Sequence, residues 1–259
     1  RYSMMISAGE VAIAPRGLTV ITPPWNFPLA IPLGGTVAAL ITGNPVILKP
    51  ALETPYIASK IVNICHEAGV PKDVLQMVVA TDEIATPLIT DPRVQTVVLT
   101  GGTATAKRFR ELRPKLHLLA ETGGKNATIV SHFADRDLAV NAVIQSAFAH
   151  AGQKCSATSL LILTAPLADD RMFREQLVDA AASMQVGDAW DLNARITPLI
   201  QPPNGELKRA LNTLDEGEEW WLEPKVHPKN PRLWSPGIKG NVKPGSYSHL
   251  TEFFGPHLS

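Results

Sequence analysis

Short apolar runs alternate with polar loops and with segments of helical apolar spacing over the first half of the chain. The apolar, often β-branched runs predict buried strands at residues 17–22, 45–49, 75–79, 96–99 and 116–120. Helical spacing between them predicts helices at residues 29–42, 56–68, 84–89 and 104–112. This alternation with short connections is typical of a Rossmann-like, doubly wound parallel sheet in an α/β protein.

The alternation continues in the second half and then weakens. Strands are predicted at residues 126–130 and 160–163, and helices at residues 138–148, 170–184 and 205–214. After residue 201 the chain is rich in Pro, Gly and Trp, so we expect less regular structure there, with the tryptophans packed. We divide the chain into a first domain, 1–124, and a second α/β domain, 125–259. Both are expected to be truncated, because the chain starts without Met and stops soon after residue 256.

Polar loops follow the predicted strands at the edge where doubly wound sheets bind ligands. They contain Trp25 and Asn26, Lys49, residues 100–103, and residues 121–124. Residues 100–103 open a helix whose N–H groups could hold a pyrophosphate, although the G-x-G-x-x-G spacing is absent. Lys49 could meet ribose hydroxyls or a phosphate, or could be an ordinary surface lysine.

Cys155 is the first candidate for chemistry, since it lies at a helix-to-strand junction beside Lys154. Backbone N–H groups and a cation favour a thiolate, which is the nucleophilic form of cysteine. A buried structural cysteine is the equally weighted alternative. Glu121 is expected to be partly desolvated and so a useful base, or else a solvated strand-end carboxylate. Asn26 could supply an oxyanion-hole N–H, or could cap its own loop.

Composition limits the function classes. The 259 residues include 24 basic and 24 acidic side chains, so nothing points to nucleic acid. No apolar run predicts a membrane span, and no signal peptide is seen. Two cysteines make no disulfide framework and fit a reducing, cytoplasmic location. The seven histidines show no metal-ligand spacing.

Six motifs taken together resemble the aldehyde dehydrogenase superfamily in order and spacing. They are PWNFP (24–28), LKP (48–50), LTGGT (99–103), ETGGKN (121–126), GQKCSA (152–157) and EFFGP (252–256). The residues of the ETGGKN and GQKCSA motifs are most similar to those of the Δ1-pyrroline-5-carboxylate (glutamate γ-semialdehyde) dehydrogenases. They are similar in particular to those of the dehydrogenase module of bifunctional proline-utilisation proteins.

The resemblance implies an enzyme that oxidises an aldehyde, with glutamate γ-semialdehyde as the expected substrate. Cys155 matches the nucleophile, Asn26 the oxyanion-hole amide, and Glu121 the base that activates water. NAD is the implied cofactor. The family's ribose-binding glutamate is replaced by Leu52, so either the loop shifts by one and Glu53 takes its place, or ribose binding is weaker and NADP is possible. The implied cofactor-binding residues are Trp25, Lys49, Glu53, Gly101, Gly102, Thr103, Gly123, Glu252 and Phe254. The implied substrate-binding residues are Phe27, Lys154 and Ser156.

The resemblance also implies partners, and two other functions stay open. The full-length protein is expected to form a homo-oligomer. If it is a bifunctional proline-utilisation protein, it is also expected to be fused to a proline dehydrogenase module. One alternative is a non-catalytic unit that binds dinucleotide or serves only as structure. The other is a cysteine hydrolase, which would need a histidine beside Cys155, and His150 is the nearest in sequence.

Overall fold

The computed structural model describes residues 14–259, which form two compact units, one ending at Thr122 and one from Gly123 to Ser259. The part of the predicted first domain before residue 14 lies outside the described residues. The strands of the first unit are β1 (Thr19–Thr22), β2 (Val46–Leu48), β3 (Leu75–Met77), β4 (Thr96–Gly101) and β5 (His117–Thr122). Its helices are α1 (Ala30–Ile41), α2 (Pro55–Glu67), α3 (Asp82–Thr90) and α4 (Thr103–Leu112).

The five strands of the first unit form one parallel sheet in the order β3-β2-β1-β4-β5. Strand β1 lies in the middle of this sheet, β2 and β3 extend it to one edge, and β4 and β5 continue from the other side of β1, so the doubly wound α/β fold is confirmed. The strands contribute to two separate apolar clusters. One cluster includes Leu48 and Leu75, and the other includes Val20 and Val97.

Glycines end the first two helices where the sequence places them. Gly43 and Gly69 both have left-handed φ, of 81° and 99°. After α1, Gly43 N–H donates to Leu40 and Asn44 N–H to Ala39, which is the bond pattern of a Schellman motif. The same pattern ends α2. These caps turn the chain sharply into β2 and toward β3, so the strands follow with short connections.

The second unit contains seven strands and five helices among its described residues. The strands are β6 (Ala127–Val130), β7 (Leu160–Leu163), β8 (Glu219–Leu222), β9 (Val226–His227), β10 (Asn230–Trp234), β11 (Gly237–Gly240) and β12 (His257–Leu258). The helices are α5 (Arg136–Phe148), α6 (Ala165–Ala168), α7 (Arg171–Ala182), α8 (Gly205–Asn212) and α9 (Tyr247–Leu250), with a 3-10 turn at Ala149–Gly152. Strands β6 and β7 pair in parallel, and β11 lies between β12 and β8. Backbone hydrogen bonds from Leu161 N–H to Ser259 and from Ser259 N–H to Ser159 connect the two sheets.

The expectation of weak order after residue 201 is wrong. Strand β11, with the sequence GIKG, is fully buried, although it offers no apolar run by which it could be recognised. Its glycines allow close packing, since a β-carbon on Gly240 would overlap the indole of Trp221. Trp221 and Trp234 pack against the core of the second unit, as expected. Among the described residues, no helix is both long and apolar enough to cross a membrane.

Candidate active site

A cavity of about 690 Å³ opens at the carboxyl ends of β1, β2 and β4 in the first unit. The chain reverses its winding direction beside β1, and open α/β sheets bind ligands at such points. The predicted cofactor residues that line the cavity are Trp25, Lys49, Glu53, Gly101 and Gly102. Leu52 lines it as well, while Thr103 is the first residue of α4 and is not part of the lining. The cavity has a position and a volume typical of small-molecule and cofactor sites.

The amino terminus of α4 faces this cavity. Gly102 is the N-cap residue, and Thr105 N–H already donates to its carbonyl group. A β-carbon on Gly102 would meet no protein atom within 4 Å, so the space above it is open. Backbone N–H groups at a helix start favour anions, and the absent side chain lets a phosphate come close. Lys49, half-buried beyond the end of β2, adds a cation to the lining.

The sequence reading missed several residues of the cavity wall. Arg108 in α4 lines the cavity and donates to Thr86 Oγ1 of α3 at 3.2 Å. Asp82, at the start of α3, brings a carboxylate to the same wall. Thr105 lines the cavity as well, and Arg108 follows it by three positions and therefore shares its helix face. That spacing is the signal that could have identified it.

The other two catalytic candidates of the first unit have different environments. Asn26 is buried, 7% exposed, in the turn after β1, and Phe27 beside it is half-buried. Glu121 lies within β5, directly opposite Thr100 of β4, rather than in a loop after the strand. It is exposed, so the expected partial desolvation is wrong. The reason is that β5 is an edge strand of the five-stranded sheet, and three of its six residues are exposed.

Cys155 is exposed on a turn between α5 and β7. We call residues 152–157 the cysteine turn. The chain enters it through three residues with left-handed φ, namely His150 (60°), Ala151 (52°) and Gly152 (68°). Such a conformation is unfavourable for residues other than glycine and is held by surrounding structure, often at functional sites. The reading of Cys155 as a buried structural cysteine is therefore wrong. The flanking Lys154 is half-buried and Ser156 is exposed.

Three of the six motifs meet around the cysteine turn in the second unit. A β-carbon on Gly152 would overlap the carbonyl group of Gly255, so these two backbones touch. A β-carbon on Gly123 would overlap the carboxylate of Glu252. A small void of about 10 Å³ is lined by Lys154, Glu252, Phe254 and other residues of the same segments. The fold of this unit therefore brings GQKCSA, EFFGP and ETGGKN together.

Half-buried charges lie beside this meeting point. Burial raises the pKa of Glu252, and the N–H of Gly124 and the Lys125 cation oppose that rise only in part. Burial, together with the nearby Lys239 cation, lowers the pKa of Lys125 to about 8. The Lys125 ammonium also lies 4.5 Å from the centre of the Phe253 ring. Among residues 14–259, no group of three or more His, Cys, Asp or Glu side chains could hold a metal ion.

Comparison with known proteins identifies relatives over nearly the whole chain. A sequence profile described as the aldehyde dehydrogenase family matches residues 7–259. A 1-pyrroline-5-carboxylate dehydrogenase from Geobacillus kaustophilus is 38% identical over 264 residues, covering 93% of this chain and 48% of the relative. The chain thus spans about half the length of the curated relatives that it matches.

The chain is also similar to solved structures of related proteins. Proline utilization A (PutA) from Corynebacterium freiburgense has a TM-score of 0.92 and 42% identity, covering 99% of this chain and 27% of that chain. An NADP-dependent glyceraldehyde-3-phosphate dehydrogenase from Bacillus halodurans, solved in complex with NADP, has a TM-score of 0.85 and 27% identity. That match covers 95% of this chain and 51% of that chain.

Proposed function

The chain belongs to the aldehyde dehydrogenase family, and from this premise we propose that its protein oxidises an aldehyde through a covalent intermediate on Cys155. The observation that carries the proposal is the exposed thiol on a strained turn where three motifs of the family meet. A buried cysteine in a relaxed loop would have supported the shared fold but not a reaction at the thiol.

In the first half of the reaction, the Cys155 thiolate forms a C–S bond to the aldehyde carbon. The carbonyl π electrons move to oxygen, and Asn26 with the Cys155 backbone N–H stabilises the resulting oxyanion. A bound nicotinamide dinucleotide would supply the acceptor for the hydride that leaves this carbon. The C=O double bond then re-forms, which leaves a thioester on Cys155. The chain supplies the nucleophile and the preorganised donors for this half.

In the second half, Glu121 removes a proton from a water whose oxygen attacks the thioester carbon. The C–S bond breaks, the Cys155 thiolate leaves, and the carboxylic acid product is released. A carboxylate with this role argues for hydrolysis rather than acyl transfer to another thiol. Glu121 is exposed, so its carboxylate can reach water.

The residues of the first unit fit a dinucleotide. The open space above Gly102 and the N–H groups of α4 suit a pyrophosphate, while Lys49 suits the adenosine ribose. Glu252 and Phe254 are proposed to hold the nicotinamide ribose and ring, with Gly123 giving close backbone approach. We propose NAD as the cofactor, with NADP tolerated because Leu52 stands where the family has its ribose-binding glutamate and Arg108 adds a cation to the same wall. The NADP complex of a family relative supports this tolerance.

For the substrate we propose glutamate γ-semialdehyde, oxidised to glutamate. The curated relatives named 1-pyrroline-5-carboxylate dehydrogenase support it, at 37 and 38% identity over 93% of this chain. Phe27, Lys154 and Ser156 are the proposed substrate contacts. Similarity to proline utilization A supports a fused proline dehydrogenase module in the full-length protein, which we further propose to be a homo-oligomer. Because both described cysteines are free, a reducing cytoplasm suits the chemistry.

The test is a substrate screen on the full-length protein that follows NADH formation. Glutamate γ-semialdehyde is compared with simple aliphatic aldehydes, for wild type, Cys155→Ala and Cys65→Ala. The proposal expects turnover with the semialdehyde, none in Cys155→Ala, and normal turnover in Cys65→Ala. Full turnover without Cys155 would refute the covalent scheme. Calorimetric binding of NAD without any turnover would favour the non-catalytic alternative.

A further inference from the structure

The side chain of Asn126 bridges two carbonyl groups of the cysteine turn. Its Nδ2 donates to the carbonyl oxygen of Cys155 at 2.6 Å and to that of Ala157 at 3.1 Å. Carbonyl oxygens only accept hydrogen bonds, so the amide nitrogen, not the amide oxygen, must face them. The two bonds enclose Ser156 and fix the backbone on both sides of it.

The backbone of Asn126 binds the next part of the same segment. Its carbonyl oxygen accepts from Ser159 N–H and Leu160 N–H, both at 3.0 Å. Its own N–H donates to the Gly124 carbonyl at 3.1 Å. A single residue at the entry to β6 therefore holds the turn that carries the thiol and the first residues of β7.

Other side chains fix the ends of this segment. Gln153 Oε1 accepts from Ile200 N–H at 3.1 Å, before the thiol. After it, the Thr158 hydroxyl lies 2.7 Å from the hydroxyl groups of both Thr128 and Ser146. These bonds hold residues 153 and 158, on either side of the stretch that Asn126 bridges. Between them, Ala157 N–H donates to the Lys154 carbonyl at 3.1 Å, and the Asn126 amide ties this exposed turn with Cys155 to the entry of β6.

We propose that Asn126 is a positioning residue for the Cys155 thiol. Without its two N–H donors, the carbonyl groups of Cys155 and Ala157 turn to solvent, and the turn samples other conformations. Misplacing a reacting group by about 1 Å can cost on the order of a hundredfold in rate. The effect on turnover rests on the proposed function, whereas the effect on thiol reactivity does not, because it is measured without aldehyde or dinucleotide.

The test compares two substitutions with a matched control in the full-length protein. Asn126→Ala removes the amide, and Asn126→Asp keeps its size but turns oxygen acceptors toward two carbonyl oxygens. Asn141→Ala, on an exposed position of α5, is the control. Alkylation by iodoacetamide is followed at Cys155 and at Cys65, which lies half-buried in the first unit and reports any general loosening.

We expect the Cys155 alkylation rate to fall at least about fivefold in Asn126→Ala and further in Asn126→Asp. The alkylation rate of Cys65 should stay at the wild-type value. The kcat of each variant should fall in parallel with its Cys155 alkylation rate, and the KM for NAD should change little. If Asn126 only fills space, the order of the two variants is reversed, and the alkylation rate of Asn126→Asp stays close to the wild-type value. That result would overturn the proposal. Unchanged Cys155 reactivity, or a parallel change at Cys65, would overturn it as well. If thiol reactivity responds but Cys155→Ala still oxidises aldehyde, the proposed function fails and the positioning role survives.

Discussion

The carboxylate of Glu252 lies directly against the backbone of Gly123, in the space that a β-carbon on this glycine would fill. The N–H of the adjacent Gly124 also acts on this carboxylate and opposes the rise that burial causes in its pKa. Two residues far apart in the sequence thus meet at one point, and only glycine fits there. This contact gives a direct way to move Glu252 without changing its chemistry.

The substitution Gly123→Ala should therefore weaken NAD binding. The added methyl group displaces the Glu252 carboxylate, which we propose to bind the nicotinamide ribose. A lost charged hydrogen bond corresponds to about a tenfold rise in Kd for NAD, or ~1.4 kcal/mol. Isothermal titration measures it. Gly124→Ala is the matched control, because a β-carbon there meets no atom within 4 Å and the N–H is kept. Equal affinities of both variants would argue against the role of Glu252.

Gly152→Ala should destabilise the second unit. Its φ of 68° is unfavourable for alanine, at ~1 kcal/mol or more. In addition, the new methyl group would overlap the Gly255 carbonyl. Gly205→Ala is the control for φ alone, since Gly205 has a φ of 46° and open space around it. Chemical denaturation followed by tryptophan fluorescence should show the larger loss for Gly152→Ala, in total ~2 kcal/mol or more. Similar losses of stability in the two variants would mean that the Gly255 backbone shifts at little energetic cost.

The buried His257 should make the protein less stable in acid. Burial lowers its pKa well below the usual 6.5, and the cations of Lys125 and Lys239 act in the same direction. The unfolded chain therefore takes up a proton as the pH falls below about 6.5, while the folded chain does not. The free energy of unfolding then decreases by ~1.4 kcal/mol per pH unit from this group.

Replacing this histidine by a neutral side chain of similar size tests the assignment. His257→Leu should flatten the dependence of stability on pH between pH 6.5 and about 5, whereas the exposed His227→Gln should keep it. Urea denaturation at a series of pH values gives both curves. A His257→Leu variant with the full wild-type slope would show that other groups are responsible.

Leu52→Glu should shift the cofactor preference toward NAD. Leu52 and Glu53 both line the cavity that we propose to bind the dinucleotide, and a second carboxylate there would repel a 2′-phosphate. Like charges a few ångströms apart near a surface repel by ~1 kcal/mol or more, so the Kd for NADP should rise at least about fivefold relative to NAD. Leu52→Gln controls for polarity without charge. Titration of each variant with both dinucleotides measures the ratio, and an equal change for both would refute the placement of the ribose.

The sequence predicted those parts of the fold that local chemistry determines. The sequence predicts β7 to the residue, because LLIL is a short apolar run between turn residues. Helices α1 and α2 end where glycine provides the left-handed residue of the cap. The cavity at the carboxyl end of the sheet followed from strand order alone.

The remaining features depend on contacts between distant residues. The exposure of Glu121 is determined by the edge position of β5, which no local pattern records. Strand β11 is buried because Trp221 packs over Gly240, and its own sequence shows no strand pattern. The bonds of Asn126 to the cysteine turn exist only once β6 and β7 pair. Motif resemblance indicated which residues matter, and packing determines how each is held.

The most direct test of the central claim is to trap the thioester on Cys155. Full-length Glu121→Gln protein is mixed with NAD and aldehyde, quenched in acid, and analysed by intact mass and peptide mapping. The account predicts a burst of one NADH per active site and an acyl adduct on Cys155, absent from wild type at steady state and from Cys155→Ala. An adduct on Cys65, or normal turnover of Glu121→Gln without any adduct, would contradict it.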